Sequence, residues 1–202
     1  SVRTFFLGIV ALLATTTSFA MPLPLWSSDG WTQFADDEGV GHGGFVDPGW
    51  GGQAFDAEYL YYKLDGDVLS LGLQSGFDLI DGRVWYGGRR YYAGDLALSF
   101  DNDTNEYEYA VDFGLLTRDY DRNRVDADGN NDGYDPQGLY RVTGWNNNIL
   151  FPESAPFAMD DGHLEANLLS NEAGANGQSY FRTVSFDVSG LGLGTSWVLD
   201  AH

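Results

Sequence analysis

Short runs of alternating apolar and polar residues, separated by turn-forming clusters, dominate the chain from Glu58 onward. The first two runs, 58–64 and 68–73, flank Asp65-Gly66-Asp67. An Asp-Gly turn between alternating runs predicts a β-hairpin, because its backbone suits the twist of two antiparallel strands. The same alternation predicts later strands at residues 95–101, 107–113, 139–145, 179–188 and 195–202.

Alternation also predicts which side chains face the interior, since successive side chains of a strand point to opposite faces. The predicted buried side chains are Leu69, Leu71, Leu96, Leu98, Phe100, Val111, Phe113, Phe186 and Val188. At least seven short strands, without alternating helices, predict an all-β fold, an antiparallel β-sandwich that is jelly-roll-like.

Other parts of the chain are less regular. Residues 86–92 read as a loop rich in Gly, Arg and Tyr, and the polar segment 117–137 is long enough to be a functional loop. The pattern of residues 163–169 is compatible with either a short helix or a strand. The composition of residues 21–57 predicts loops with one or two edge strands. We expect the tryptophans of this segment to pack onto the core.

A different pattern opens the chain. Arg3 precedes an apolar run at residues 5–14, and Ser18-Phe19-Ala20 places small residues before a cleavage point. This is the pattern of a secretory signal peptide. Because the run is shorter than the ~20 apolar residues of a membrane span, we expect no span within this chain. We expect cleavage after Ala20, so that the mature protein is secreted.

These patterns divide the chain into three parts: a signal peptide at 1–20, a loop-rich N-terminal segment at 21–57 and a β-sandwich domain at 58–202. The chain begins at Ser1, and its last predicted strand ends at His202 without a turn cluster. We therefore expect a fragment whose β-domain is truncated at the C-terminus.

The charge and composition of the chain limit the classes of partner and metal that it is expected to bind. The chain has 30 Asp and Glu against 10 Lys and Arg, a net charge of −20. Such a charge repels nucleic acid and anionic membranes, so we expect neither as a partner. Cysteine is absent, so a secreted fold must rely on its core and on metal ions. Its 3 histidines are far apart in sequence, which disfavours a zinc site.

One acidic segment has the spacing of a calcium loop. Oxygen-bearing side chains occupy the first, third, fifth and seventh positions, which is how a loop wraps around Ca²⁺. The segment departs from an EF-hand, because Asn131 stands where Gly is expected and Gln137 where a bidentate Glu is expected. A solvated turn is an equally good interpretation. The predicted ligands are Asp126, Asp128, Asn130 and Asp132.

A second, weaker metal candidate consists of Asp101, Asp103 and Asn105, with Asp112 further along. A turn that binds nothing is the favoured interpretation here, because Asn and Asp are common in turns. Glu58, Asp65 and Asp95 are further carboxylates that adjacent strands could add to a site.

Exposed aromatic rings could stack on sugars, and the best local cluster is Trp85, Tyr86, Tyr91 and Tyr92 beside Arg89 and Arg90. The alternative, that these rings cover the core, is favoured because aromatic side chains dominate core burial. The sequence has no nucleophile elbow, phosphate loop or zincin motif, so we predict no catalytic residues.

From about Phe55 to His202 the chain resembles the secreted surface proteins of Gram-negative bacteria that exosortase sorts, the PEP-CTERM-type proteins. The resemblance is carried by residues 65–71, 91–101, 107–113, 154–159, 180–183 and 200–202. It implies a role at the cell surface or in the extracellular matrix, without specifying a reaction. In such proteins a C-terminal tail with a sorting signal follows the domain.

Three hypotheses follow. The first is a non-enzymatic β-sandwich protein of the cell surface or extracellular matrix, stabilised by Ca²⁺. The second is a carbohydrate-binding, lectin-like module, and the third is a polysaccharide-active enzyme. The expected partners are extracellular polysaccharide or other surface proteins.

Overall fold

The computed structural model describes residues 25–26, 30–36, 52–101, 106–152 and 155–202. Within these ranges there is no α-helix, and no helix is long and apolar enough to cross a membrane. Two 3₁₀ helices span Gly52–Phe55 and Ser189–Leu191. The strands are β1 (Thr32–Asp36), β2 (Ala57–Asp65), β3 (Val68–Ser75), β4 (Arg83–Tyr86), β5 (Arg89–Tyr92), β6 (Leu96–Ser99), β7 (Tyr109–Asp112), β8 (Gly138–Asn146), β9 (Ala158–Asn167), β10 (Ser170–Asn176), β11 (Ser179–Asp187) and β12 (Asp200–Ala201).

The strands form two five-stranded sheets and one separate hairpin. The first sheet has the order β1-β2-β3-β11-β10 and the second the order β12-β6-β7-β8-β9, while β4 pairs with β5 alone. Neighbouring strands are antiparallel throughout both sheets. The predicted all-β antiparallel sandwich is confirmed.

The main core lies between the two sheets. Leu69 and Leu71 of β3 and Phe186 of β11 pack in one cluster with Leu98 of β6 and Val111 of β7, all fully buried. Every side chain that alternation predicts to be buried belongs to this cluster. Each such side chain stabilises the fold by about 1.5–3 kcal/mol through its removal from water.

The second sheet is also covered on its other face. Ala110 of β7, Tyr140 of β8 and Met159 of β9 form a smaller buried cluster, against which Ala127 packs. Register irregularities interrupt the pairing of β8 with β9, and such bulges bend a strand. The packing of Ala127 places part of the loop at residues 115–137 against this face.

Some predicted elements differ in the structure. Residues 86–92, predicted as a loop, belong to the β4–β5 hairpin, whose turn is formed by Gly87 and Gly88. Both glycines have positive φ, 57° and 79°, as a tight two-residue hairpin turn requires. The region around residues 163–169 lies mostly in strand β9, and the strand predicted over 195–202 is reduced to Asp200–Ala201.

The described N-terminal residues contribute to the first sheet. Strand β1 pairs with β2, and Trp26 packs against Tyr61 and Phe181 with ring centroids 6.0 and 6.3 Å apart. The indole lies so close to Gly72 that a Cβ there would be 2.6 Å from its ring, which explains the glycine. The predicted signal peptide at 1–20 lies outside the described residues.

Candidate functional site

The β4–β5 hairpin stands apart from both sheets and carries all four aromatic residues predicted to bind carbohydrate. Residues opposite each other in an antiparallel pair share a face. The pairs Arg83↔Tyr92 and Trp85↔Arg90 therefore occupy one face, which we call the outer face. Tyr86 and Tyr91 lie on the other, inner face. The structure thus divides the predicted cluster into two pairs.

The inner face fixes the hairpin to the sandwich. The Tyr86 and Tyr91 rings meet Phe55 edge-to-face, with centroids 5.3 and 5.1 Å away. Edge-to-face contacts are favourable because a ring's positive edge meets its neighbour's negative face. Phe55 ends the 3₁₀ helix just before β2, so these contacts tie the hairpin to the first sheet.

The outer face is open to solvent. Trp85 is 65% exposed, the largest exposed fraction among the large apolar side chains of the described residues. Arg90 lies over its indole at 5.9 Å from the ring centroid. Tryptophan is enriched at contact surfaces relative to the rest of a protein's surface, which makes this position a candidate for binding.

A line of arginines continues from this face to the neighbouring loop. The Arg118 guanidinium lies 5.7 Å from the Tyr92 ring centroid, and Arg118 forms an antiparallel bridge with Arg124. A further contact joins hairpin and loop, since Arg89 stacks 3.6 Å from the Tyr120 ring centroid. We call the outer set the arginine strip; it comprises Arg83, Trp85, Arg90, Tyr92, Arg118 and Arg124.

The loop arginines of the strip were missed by the sequence reasoning, although a signal was present. Of the 10 Lys and Arg residues in the chain, six fall between positions 83 and 124: Arg83, Arg89, Arg90, Arg118, Arg122 and Arg124. Among the described residues, the one ion pair is Arg141–Glu165, at 2.8 Å, and it involves none of them. The concentration of cations is visible in the sequence, but their proximity is not.

The predicted calcium ligands lie in the 115–137 loop, and their carboxylates accept hydrogen bonds from it. Asp126 accepts from the backbone N–H of Asn131 and Gly133, at 3.2 and 3.0 Å. Asp128 accepts from both nitrogens of Asn130, and Asp132 from the N–H of Tyr134. In the described parts of the chain, no group of three or more His, Asp or Glu side chains is arranged to hold a metal.

Asp135, which the sequence reasoning did not single out, organises this loop. Its carboxylate is 7% exposed and accepts the N–H of Ala127, at 2.8 Å, and of Asp128, at 2.9 Å. Burial raises the pKa of Asp135, although these two donors oppose the rise. The loop is therefore closed by a buried carboxylate behind the exposed acidic segment.

Two further carboxyls, those of the buried Asp112 and the half-buried Asp95, lie on the face of the second sheet that points away from the main core. The register of Leu96 with Val111 makes Asp95 and Asp112 the next opposed positions. Burial, reinforced by the charge of the other carboxyl, raises the pKa of Asp112 to about 9. Burial also raises the pKa of Tyr140, as do the neighbouring carboxylates, foremost that of Asp135.

The remaining candidates are separated. Glu58 and Asp65 lie at opposite ends of β2, and Asp95 belongs to the second sheet, so the three do not form one site. Asp101 is exposed and accepts a hydrogen bond from Ser99 Oγ at 2.9 Å. Asp103 and Asn105 lie outside the described residues.

Glu58 instead belongs to a buried polar network. It is fully buried and accepts hydrogen bonds from Gln74 Nε2, at 2.7 Å, from Gln53 Nε2, at 3.2 Å, and from Ser179 Oγ. These partners come from the 3₁₀ helix, β3 and β11. The network holds these elements together at one end of the first sheet.

The chemistry of the described surface therefore concentrates on the arginine strip, where cations and aromatic faces alternate. Comparison of this chain with protein-family models, with curated proteins and with solved structures finds no match.

Proposed function

We propose that this chain is a non-enzymatic β-sandwich protein of the cell surface or extracellular matrix of a Gram-negative bacterium, and that it binds polysaccharide through the β4–β5 hairpin. The observation that carries the binding proposal is the 65% exposure of Trp85 on a hairpin braced from behind by Phe55. The signal-peptide pattern and the resemblance to exosortase-sorted proteins support the location.

A sugar ring suits this surface for physical reasons. Its C–H groups form an apolar face that stacks on an indole, while its hydroxyls accept hydrogen bonds from neighbouring arginines. The bracing of the hairpin also matters, because a preorganised surface loses less conformational entropy when a ligand binds. Trp85 and Arg90 offer both kinds of contact within one cross-strand pair.

The buried carboxyls support binding rather than hydrolysis. A glycosidase places two carboxyls on either side of the scissile bond, where the sugar reaches them. Asp112, which has a strongly raised pKa, is only 3% exposed, so a sugar does not reach it. The function that the exposed face supports best is therefore recognition.

Affinity electrophoresis through gels containing neutral and acidic polysaccharides tests the proposal. At least one polysaccharide should retard the protein, and Trp85→Ala should weaken that binding by roughly tenfold, the value of a good aromatic contact. Leu169→Ala is the matched control, because Leu169 is also exposed, at 62%, but lies between β9 and β10.

Three results would contradict the proposal. The first is migration that no polysaccharide changes, and the second is an equal effect of the two variants. Release of reducing ends from any polysaccharide of the panel would show an enzyme instead.

The location has a separate test. When the chain is expressed with its first residues in a Gram-negative host, the exported protein should begin at or near Met21, as N-terminal sequencing would show. Secreted protein that retains residues 1–20 would contradict the signal-peptide interpretation.

A further inference from the structure

We infer that the polysaccharide bound by the arginine strip is acidic and carries carboxylate or sulfate groups. This inference rests on the proposed function and narrows it from polysaccharides in general to one chemical class. Three observations support it: the arginines lie against aromatic rings, they form no ion pairs among the described residues, and the strip continues from the hairpin to the neighbouring loop.

The arginines of the strip lie against aromatic rings. Arg90 is placed over Trp85, and Arg118 over Tyr92, at 5.9 and 5.7 Å from the ring centroids. A guanidinium is planar, and its N–H donors point outward in that plane. Contact with a ring restrains the guanidinium, and a carboxylate or sulfate can meet the in-plane donors of such a group with paired hydrogen bonds.

The acidic side chains of the adjoining loop form no ion pair with these arginines among the described residues. The Asp119 carboxylate accepts hydrogen bonds from Asn123 and from Asn148, at 2.9 and 3.1 Å. Asp121 is likewise held by Asn148, at 3.0 Å. In the loop, amides occupy these carboxylates, while Arg118 and Arg124 donate to the backbone carbonyls of Arg122 and Asn131.

This arrangement is unusual in a chain of net charge −20. With three acidic residues for every basic one, arginines placed without regard to function would be expected to meet carboxylates. Among the described residues, none of the six arginines from Arg83 to Arg124 forms an ion pair. Within the described part of the chain these guanidinium groups thus lack a carboxylate partner, which points to an anionic ligand.

The strip is continuous, which favours a polymer over a small anion. Arg83 lies opposite Tyr92, Tyr92 contacts Arg118, and Arg118 bridges to Arg124. The four-residue strands of the hairpin alone extend about 13 Å, at ~3.3 Å per residue. Alternating rings and cations along such a line match a chain of sugar rings with regularly spaced acidic groups.

The test compares three polymers: alginate as a polyuronate, laminarin as a neutral glucan and double-stranded DNA as a polyanion without uronic acids. Binding is measured by titration calorimetry at about 0.15 M salt, where the Debye length of ~8 Å screens the distant carboxylates of the chain. We expect alginate to bind more tightly than laminarin, and DNA to bind least.

The decisive variant is Arg83→Gln/Arg90→Gln, because both side chains are exposed and their replacement leaves the core untouched. An exposed ion pair changes affinity by a factor of about two to five, so the double variant should bind alginate roughly fourfold to twenty-fivefold more weakly. Arg90→Gln and Arg141→Gln form a charge-matched pair of single variants. Arg141 lies on β8 beside Glu165, and its loss should leave alginate binding unchanged.

The outcomes separate this inference from the proposed function. If laminarin binds as well as alginate, and Trp85→Ala alone abolishes binding, the protein binds polysaccharide but the acidic class is wrong. If no polysaccharide binds, both fail. If DNA binds as tightly as alginate and the double variant weakens both equally, the strip is a general polyanion site and the assignment to glycans is overturned.

Discussion

Asp95 and Asp112 oppose each other across the β6–β7 pair of the second sheet, at the position next to the Leu96↔Val111 pair. Each side chain has a backbone partner: Asp95 accepts the N–H of Met159 at 2.7 Å, and Asp112 accepts that of Gly114 at 2.5 Å. Like charges opposed in a sheet repel. Burial raises the pKa of both carboxyls, and the charge of Asp95 adds to the rise for Asp112, so we expect the pair to hold a proton at neutral pH.

The raised pKa values of these two carboxyls predict that the free energy of unfolding depends on pH. Burial raises both pKa values in the folded chain, to about 7 for Asp95 and about 9 for Asp112. The pair's contribution to the free energy of unfolding is therefore complete below about pH 4, the ordinary pKa of Asp, and is lost as the pH rises through these values. The slope is about 1.4 kcal/mol per pH unit for each extra proton bound by the native state.

Asp112→Asn tests this relationship. Asparagine keeps an oxygen for the Gly114 N–H and supplies a fixed donor to Asp95, so it reproduces the protonated acid at every pH. In denaturant unfolding at pH 5, 7 and 9, the variant should lose less stability with rising pH than the natural chain. Asp160→Asn, an exposed position on β9, is the control. An unchanged pH slope in Asp112→Asn would show that the pair holds no proton.

Calcium should raise the melting temperature if the acidic segment binds it. A ligand that binds only the folded state at a hundredfold excess over Kd stabilises by about 2.7 kcal/mol, a shift of roughly 5–10 °C for a chain of this size. Extracellular sites have Kd of ~10⁻⁴–10⁻³ M, so the titration must reach tens of millimolar at fixed ionic strength. Asp128→Ala should remove the shift, and Asp160→Ala should not. An equal response to Mg²⁺ would indicate a solvated turn.

Gly94→Ala should destabilise the fold, because a Cβ at Gly94 would lie 1.9 Å from the backbone oxygen of Phe157. The backbone there cannot yield freely, since the Asp95 N–H donates to the same oxygen at 3.2 Å. We expect a loss of about 1–3 kcal/mol in denaturant unfolding, as for overpacked cores. Gly190→Ala is the control, with no atom within 4 Å of its Cβ and an expected change of under ~0.5 kcal/mol. Equal stability of the two variants would refute the close approach.

The stability of the fold should depend on both the acceptor oxygens and the volume of the Glu58 side chain, and two substitutions separate these effects. Glu58→Ala removes the acceptor of three donors inside the protein and should cost about 3 kcal/mol or more. Glu58→Gln keeps the volume but replaces one acceptor oxygen by a donor, so we expect an intermediate loss. Thermal and denaturant unfolding of both variants measure the difference; a Glu58→Ala variant as stable as the natural chain would contradict the role of the network.

The core was predictable because it rests on local alternation. Leu96, Leu98 and Phe100 reach the interior simply because a strand has a period of two. The pairing of Asp95 with Asp112 was not predictable, since it depends on the register of Leu96 with Val111, and many registers fit the same pattern. The arginine strip was missed for a related reason: Tyr92 and Arg118 are brought together by tertiary packing, which no spacing encodes.

The bulged strand β9 also bears on how this protein behaves at high concentration. It lies at the end of the second sheet, and among the described residues no strand pairs with its outer edge, which could accept a strand from another molecule. Asp160, Asp161 and Glu165 are exposed along it, and the register irregularities with β8 distort its edge. Negative charge and bulges are both devices by which β-proteins discourage edge-to-edge aggregation. For a fold whose regular elements are nearly all strands, these features oppose the growth of fibrils from that side.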